Sequence, residues 1–107
     1  MSSDSEISAD GRFVISPRSV IVDVDDGGSA LLGYAREELI GSHGSNLVPF
    51  ETQPATAASL DRMRRGEIVR RTGRLRRKDG TVLSVDVCAR VRPGGELVLW
   101  LRRLSPA

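Results

Sequence analysis

Cysteine, histidine and aromatic residues are scarce in this sequence of 107 residues. The single cysteine, Cys88, cannot form an internal disulfide, and a lone thiol fits a reducing compartment. We therefore expect a cytoplasmic protein. His43 is the only histidine, and no set of residues has the spacing of a metal site. No glycine-rich loop ends in Lys-Ser or Lys-Thr, so a phosphate-binding loop is not predicted either.

Long apolar runs are also missing. No stretch approaches the ~20 residues that a helix needs to cross a bilayer. The start, MSSDSEISADGR, has neither the basic beginning nor the apolar stretch of a signal peptide. We therefore expect no membrane partner. Residues 1–11 are small and polar and are predicted to form a flexible segment, followed by one domain over residues 12–105.

Basic residues are concentrated in one part of the chain. Residues 62–78 contain nine of them against Glu67 alone, although the net charge of the whole sequence is only +2. Such a block suggests phosphate contacts. However, strand alternation would divide it between two faces, and no aromatic residues interleave it to stack bases. A solvated edge strand is the better interpretation, and nucleic acid is not expected as a partner.

The hydrophobic pattern predicts two strands, several short helices, one longer helix and three further strands. The apolar residues from Leu83 to Val91 alternate with polar ones, which is typical of a strand with one buried face. Asp79-Gly80 is a strong hairpin signal before that strand. The predicted strands cover residues 13–16, 20–24, 68–77, 83–91 and 97–101; the short helices cover 29–33 and 35–40, and the longer one covers 55–65.

Three segments in this order resemble the PAS family. Residues 31–41, LLGYAREELIG, are similar to the family's LLGYSREELIG segment, and residues 76–81, RRKDGT, are similar to its RRKDGS turn. The third is Gly66-Glu67, which closes the long helix before the sheet resumes. The resemblance covers roughly residues 13–105. Asp25 departs from it, since many members have asparagine there, and so does Arg103-Leu104-Ser105, where many have Asp-Ile-Thr.

The resemblance implies an α+β fold. The expected architecture is a five-stranded antiparallel sheet in the order 2-1-5-4-3, with short helices and one longer helix on one face. It also implies a sensory and protein-interaction module in signal transduction rather than an enzyme. Its downstream partner would be a kinase, a cyclase or a transcription regulator. Because the sequence stops at Ala107, we expect no output helix within it.

The resemblance also implies a ligand cavity between the sheet and the helices. Inward strand alternation and helical spacing predict apolar residues as its lining. They suit a small apolar ligand, such as an acyl chain, better than haem or flavin. The predicted lining is Val22, Leu39, Leu47, Leu60, Met63, Val85, Val87 and Leu99.

Neither haem nor flavin is expected as a cofactor. In haem-binding members the axial histidine lies on the long helix, whereas residues 55–65 contain none and His43 lies in the preceding loop. Flavin-adduct members have an Asn-Cys-Arg segment before that helix, where this sequence has Ser45-Asn46-Leu47. Cys88 is interpreted as an inert strand residue.

Trp100, the only tryptophan, is predicted to lie on the outer face of the sheet with Val98. Left open to water, this face would be an apolar patch of the kind that marks interaction sites. Either the N-terminal segment around Ile7 or a second copy of the chain would cover it. Because that segment is mostly polar, we expect a homodimer whose contact includes Ile7, Cys88, Val98 and Trp100. Two alternatives remain: a constitutive interaction domain with a packed core and no ligand, and a nucleic-acid-binding adaptor that uses residues 70–78.

Overall fold

A computed structural model describes residues 9–48 and 53–104, with only the backbone of 53–57. These residues form five strands and four helical segments. The order matches the predicted one, with boundaries that differ by a few residues. The strands are β1 (Gly11–Ile15), β2 (Ile21–Val24), β3 (Val69–Arg76), β4 (Val82–Val91) and β5 (Leu97–Arg103); the helices are α1 (Asp26–Leu32), α2 (Arg36–Leu39), a 3₁₀ helix (Gly44–Leu47) and α3 (Gln53–Arg64).

The five strands form one antiparallel sheet in the order β2-β1-β5-β4-β3. This confirms the predicted fold. The first and last strands of the chain pair at the centre, where Phe13 lies opposite Leu99 and Val14 lies opposite Val98. The β2 and β3 strands are the two edges. The helices cover one face of the sheet, and the main core lies between these two layers.

Helix α1 begins at Asp26, three residues before the predicted start. The side chain of Asp25 explains the difference because its Oδ1 accepts hydrogen bonds from the backbone N–H groups of Gly28, at 2.7 Å, and Arg12, at 3.0 Å. It therefore caps the helix and ties it to β1. The glycines permit this approach: a Cβ on Gly27 would collide with the carbonyl oxygen of Asp10.

The two longest segments that carry the family resemblance contact each other in the folded chain. Lys78, in the turn between β3 and β4, donates its backbone N–H to the carbonyl oxygen of Leu32 at 3.0 Å. Its Nζ lies 2.6 Å from Oε2 of Glu38 on α2. The hydrogen bond from Lys78 and a second one from the backbone of Ala35 lower the pKa of Glu38 below its ordinary value of 4.5. The turn therefore fastens the helical layer to the sheet.

The beginning of the domain is also tied to the sheet. Asp10 donates its backbone N–H to the carbonyl oxygen of Leu101 at 2.8 Å, and its Oδ2 accepts from the backbone N–H of Arg103 at 2.7 Å. Gly11 is thus the first residue of β1, and Asp10 adds hydrogen bonds to β5, although both residues were predicted as part of the flexible segment. Nowhere in residues 9–48 and 53–104 does a helix have the length and apolar character needed to cross a membrane.

Candidate ligand cavity and outer sheet face

A cavity of about 380 Å³ lies between the inner face of the sheet and the helical layer. Its walls are mainly apolar. Alternate residues of β5, Leu97, Leu99 and Leu101, contribute to one wall, while Leu60 and Met63 of α3 contribute to another. These helix residues are three positions apart and so share one face of α3. The arrangement gives an apolar pocket of the size that binds small molecules in other proteins.

Five of the predicted lining residues border this cavity. They are Leu47, Leu60, Met63, Val87 and Leu99. Leu39 and Val85 do not border it, although both are buried in the adjoining core, at 1% and 0% exposure.

Val22 is placed outside the cavity altogether, because it is 40% exposed. The reason is a bulge in the pairing of the first two strands. Val14 pairs with Asp23 and Ile15 pairs with Ile21, which leaves Val22 as an extra residue without a partner on β1. The bulge turns both Ile21 and Val24 inward, where they are buried, although they are three positions apart. Strict alternation through the strand predicted the opposite face for Ile21.

Several lining residues were missed by the sequence analysis. The most informative are Arg71 and Gly73, which lie on the inner face of the edge strand β3 between Val69 and Leu75. A glycine at an inward position of a strand was the available signal, because it often marks a close approach by a ligand or another backbone. The other apolar residues missed were Phe13, Ile15, Leu32, Val48, Val69, Leu75, Ala89, Leu97 and Leu101.

His43 and Ser45 form a polar part of the lining at the 3₁₀ helix. The Nδ1 atom of His43 lies 2.6 Å from the hydroxyl of Ser45 and accepts a hydrogen bond from the Ser45 backbone N–H at 3.2 Å. This nitrogen therefore caps the 3₁₀ helix. Among the described residues, no group of three or more His, Cys, Asp or Glu side chains could hold a metal ion.

The outer face of the sheet differs from the prediction in one respect. Val98 and Trp100 do lie there, opposite Val14 and Cys88 respectively, but they are buried within the single chain at 0% and 4% exposure. The guanidinium carbon of Arg90 lies 5.9 Å from the centre of the Trp100 ring. Within the chain these two side chains, which were predicted as dimer contacts, are therefore not left open to water. Ile7, the remaining predicted contact, lies outside the described residues.

Cys88 also lies on the outer face, half-buried, between Arg70 on β3 and Trp100 on β5. Its neighbours in the strand, Val87 and Ala89, border the cavity and Cys88 does not. The thiol and the cavity are therefore on opposite sides of the sheet.

The basic run occupies an edge strand, and its side chains alternate between the two faces as predicted. Arg70, Thr72, Arg74 and Arg76 are exposed, whereas the residues between them are half-buried. The guanidinium of Arg76 donates to the carbonyl oxygen of Asn46 at 3.1 Å, which links the strand to the 3₁₀ helix.

Comparison with known proteins agrees with this architecture. The family described as "PAS fold" matches residues 21–101. A domain of a sensory box sensor histidine kinase/response regulator from Geobacter sulfurreducens is 27% identical, with a TM-score of 0.77 over 87% of this chain and 82% of that one. A PAS domain of a protein from Colwellia psychrerythraea is 22% identical, with a TM-score of 0.79 and coverage of 88% and 85%. The Drosophila melanogaster Cycle PAS-B domain with bound glycerol, W398A variant, is 16% identical, with a TM-score of 0.79 and coverage of 88% and 99%. No curated protein matched.

The chain belongs to the PAS family, whose domains are sensory modules of signalling proteins.

Proposed function

We propose that the chain is a sensory domain that takes one small, mainly apolar molecule into the cavity between the sheet and the helices, and that it catalyses no reaction. The observation that carries this proposal is the cavity itself. Protein interiors are normally packed with few voids larger than a water molecule. A space of about 380 Å³ with mainly apolar walls therefore counts against the alternative of a constitutive interaction domain with a filled core.

The volume limits the size of the ligand. At about 30 Å³ for each non-hydrogen atom, the value for liquid water, the cavity holds roughly a dozen such atoms. An acyl chain of about ten carbons fits this space, whereas haem and flavin nucleotides are far larger. The placement of Cys88 on the other side of the sheet supports the same choice, because a thiol that forms a flavin adduct has to face the flavin.

A ligand in this position would contact both layers of the domain. Leu60 and Met63 on α3 face it from one side, and Val87 and Leu99 from the sheet. Its binding would stabilise the arrangement in which α3 packs on the sheet, because a ligand shifts a conformational equilibrium by its differential affinity for the two states. A signalling partner that reads the position of α3 would then sense whether the cavity is filled.

We expect the freshly purified protein to release a small apolar molecule and to be colourless. Native mass spectrometry tests the first outcome, since a retained ligand adds its mass to that of the chain. Absorption between 350 and 600 nm tests the second, and neither a Soret band nor flavin bands should be present. Calorimetric titration with decan-1-ol measures binding directly and extends the test to protein that has lost its ligand. No bound molecule and no binding of decan-1-ol would contradict the proposal, and a Soret or flavin spectrum would contradict the choice of ligand.

We also propose that the domain forms a homodimer through its outer sheet face, with a contact that includes Cys88. The burial of Val98 and Trp100 leaves exposed polar residues, such as Arg102, to form most of that contact. A self-complementary twofold contact would place each substitution in it twice.

Charge reversal on the outer face tests the dimer. Arg102→Glu is expected to shift the protein from dimer to monomer in sedimentation experiments at tens of micromolar. It replaces the ion pair with Asp86 by two neighbouring carboxylates, and a twofold contact would contain this change twice. Arg103→Glu, at the next residue of β5 and also exposed, is the matched control and should leave the dimer intact. Sedimentation of the wild-type protein as a monomer at that concentration would rule the dimer out.

A further inference from the structure

The segment over residues 42–47, which we call the strap, is fastened to both edges of the sheet and forms part of the cavity wall. At the β2 edge, the backbone N–H of Ile21 donates to the carbonyl oxygen of Ser42 at 2.9 Å. At the β3 edge, the guanidinium of Arg76 donates to the carbonyl oxygen of Asn46 at 3.1 Å. The conformation of the strap therefore determines the shape of one side of the cavity.

That conformation depends on the imidazole of His43. Its Nδ1 accepts the backbone N–H of Ser45 at 3.2 Å and lies 2.6 Å from the Ser45 hydroxyl. Because a backbone N–H only donates, Nδ1 carries no proton in this arrangement, and the proton of the neutral ring is on Nε2. The capped 3₁₀ helix places Leu47 inward, where it is buried and borders the cavity. The wall as observed therefore requires a neutral His43.

Protonation of His43 is incompatible with this cap. A histidine cation is a donor at both ring nitrogens, so its Nδ1 donates to the Ser45 hydroxyl but no longer accepts from the Ser45 backbone N–H. Histidine is the side chain that ordinarily changes charge between pH 5 and 8. His43 is the only histidine in the sequence. The cap is therefore present at the upper end of this pH range and lost at the lower end.

The elements that contact the strap carry charged side chains of both signs. They are Glu38 on α2, Asp23 on β2, Arg18 in the turn before β2, and Arg71, Arg74 and Arg76 on β3. The hydrogen bond from Lys78 lowers the pKa of Glu38, and the one from Arg36 lowers the pKa of Asp23, so both carboxylates stay charged throughout this range. Arginine also keeps its charge. Of these groups and His43, only His43 therefore changes charge in the range.

We propose that the strap makes ligand binding depend on pH. With His43 neutral, the strap is capped and the cavity binds its ligand; with His43 protonated, the cap is lost and the affinity falls. This inference rests on the proposed function and adds a regulation to it. Because the proton and the ligand act on one conformational equilibrium, the coupling is reciprocal, and a bound ligand disfavours protonation of His43 by the same factor.

Calorimetric titration with decan-1-ol at about pH 5.5 and about pH 8 tests the regulation. Decan-1-ol has no group that changes charge in this range, so any difference in affinity comes from the protein. We expect the wild-type protein to bind it roughly threefold to tenfold more weakly at the lower pH, within the range that the loss of one capping hydrogen bond allows.

Two substitutions of His43 separate its charge from its role as a cap. Asparagine also caps helices through a side-chain oxygen and does not change charge, so His43→Asn should bind decan-1-ol equally at the two pH values, within about threefold of the wild type at the higher pH. His43→Ala has no acceptor and should bind weakly at both. Glu51→Gln is the control for a carboxyl group outside the described residues, and it should keep the pH dependence of the wild type.

Nuclear magnetic resonance of the ligand-free protein provides a readout that does not depend on binding. Protonated and unprotonated ring nitrogens have distinct ¹⁵N shifts, and we expect the proton on Nε2 of His43 at the higher pH. The amide signal of Ser45 should then move with the same midpoint as the ring when the pH is lowered, because its acceptor is lost.

The results that contradict the regulation differ from those that contradict the proposed function. Equal affinity of the wild-type protein at the two pH values, a pH dependence that persists in His43→Asn, or a proton on Nδ1 at the higher pH would overturn the role of His43 and leave the cavity as proposed. If decan-1-ol binds at neither pH, the proposed ligand-binding function itself is wrong and the regulation falls with it.

Discussion

Replacing Trp100 by alanine is expected to lower the free energy of unfolding by about 3–5 kcal/mol, the usual cost of removing a large buried aromatic side chain. Trp100 is 4% exposed in the single chain and lies beside Val98, which is fully buried. Its ring also faces the guanidinium of Arg90. Because domains of this size are stable by only about 5–15 kcal/mol, the loss is a large part of the total. Urea denaturation followed by circular dichroism measures it.

Arg102→Ala is the control for this prediction. Arg102 lies two residues further along β5, on the same face of the sheet, but it is exposed. It contacts Asp86 at 2.9 Å, and an exposed ion pair of this kind contributes at most about 1 kcal/mol. If Trp100→Ala were no more destabilising than Arg102→Ala, the Trp100 side chain would not be buried within the single chain in solution, which would contradict this prediction. Because the expected loss of stability is large, a substitution at Trp100 changes folding as well as any dimer contact and is not a clean test of the dimer.

Gly73→Ile is expected to weaken the binding of decan-1-ol at least tenfold without destabilising the domain. A β-branched side chain at this inward position would project into the cavity and take the space that the ligand needs. The strand itself should tolerate the change, since β-branched residues are favoured in strands by up to about 1 kcal/mol over glycine. The 3.3 Å approach to Val87 requires that side chain to shift by a few tenths of an ångström. Calorimetric titration and thermal unfolding measure the two effects.

Thr72→Ile provides the comparison, because it adds a β-branched side chain at the neighbouring residue, which is exposed on the other face of β3. It should leave the binding of decan-1-ol unchanged. Equal binding by the Gly73→Ile protein and the wild type would place the ligand somewhere other than this cavity.

The parts of the fold that the sequence predicted well are those in which local patterns and global structure agree. The alternation from Leu83 to Val91 defined the two faces of β4, and the Asp79-Gly80 pair marked the turn before it. The resemblance to the PAS family supplied the strand order, which alternation alone does not determine. In β5, the alternation that places Trp100 on the outer face puts Leu97, Leu99 and Leu101 on the inner face, where they border the cavity.

The site was predicted less completely. Val22 was assigned to the cavity because a bulge has no clear signal in a short apolar strand, and one extra residue reverses the faces on either side of it. Val85 and Leu39 were correctly expected to be inward, but being buried and bordering a cavity are different properties. Only the space left between packed side chains distinguishes them.

What the sequence by itself determined is the family, the order of the strands and helices and the polarity of the sheet faces, because each of these depends on residues close together in the chain. The tertiary structure alone decided three features: the outer face around Trp100 is buried, the two motif segments meet at Lys78 and Glu38, and Arg71 lies over Gly73 at the cavity wall. The first two depend on residues that are distant in sequence. The third depends on which face of an edge strand is turned toward the helices, and only packing of the complete domain defines that face.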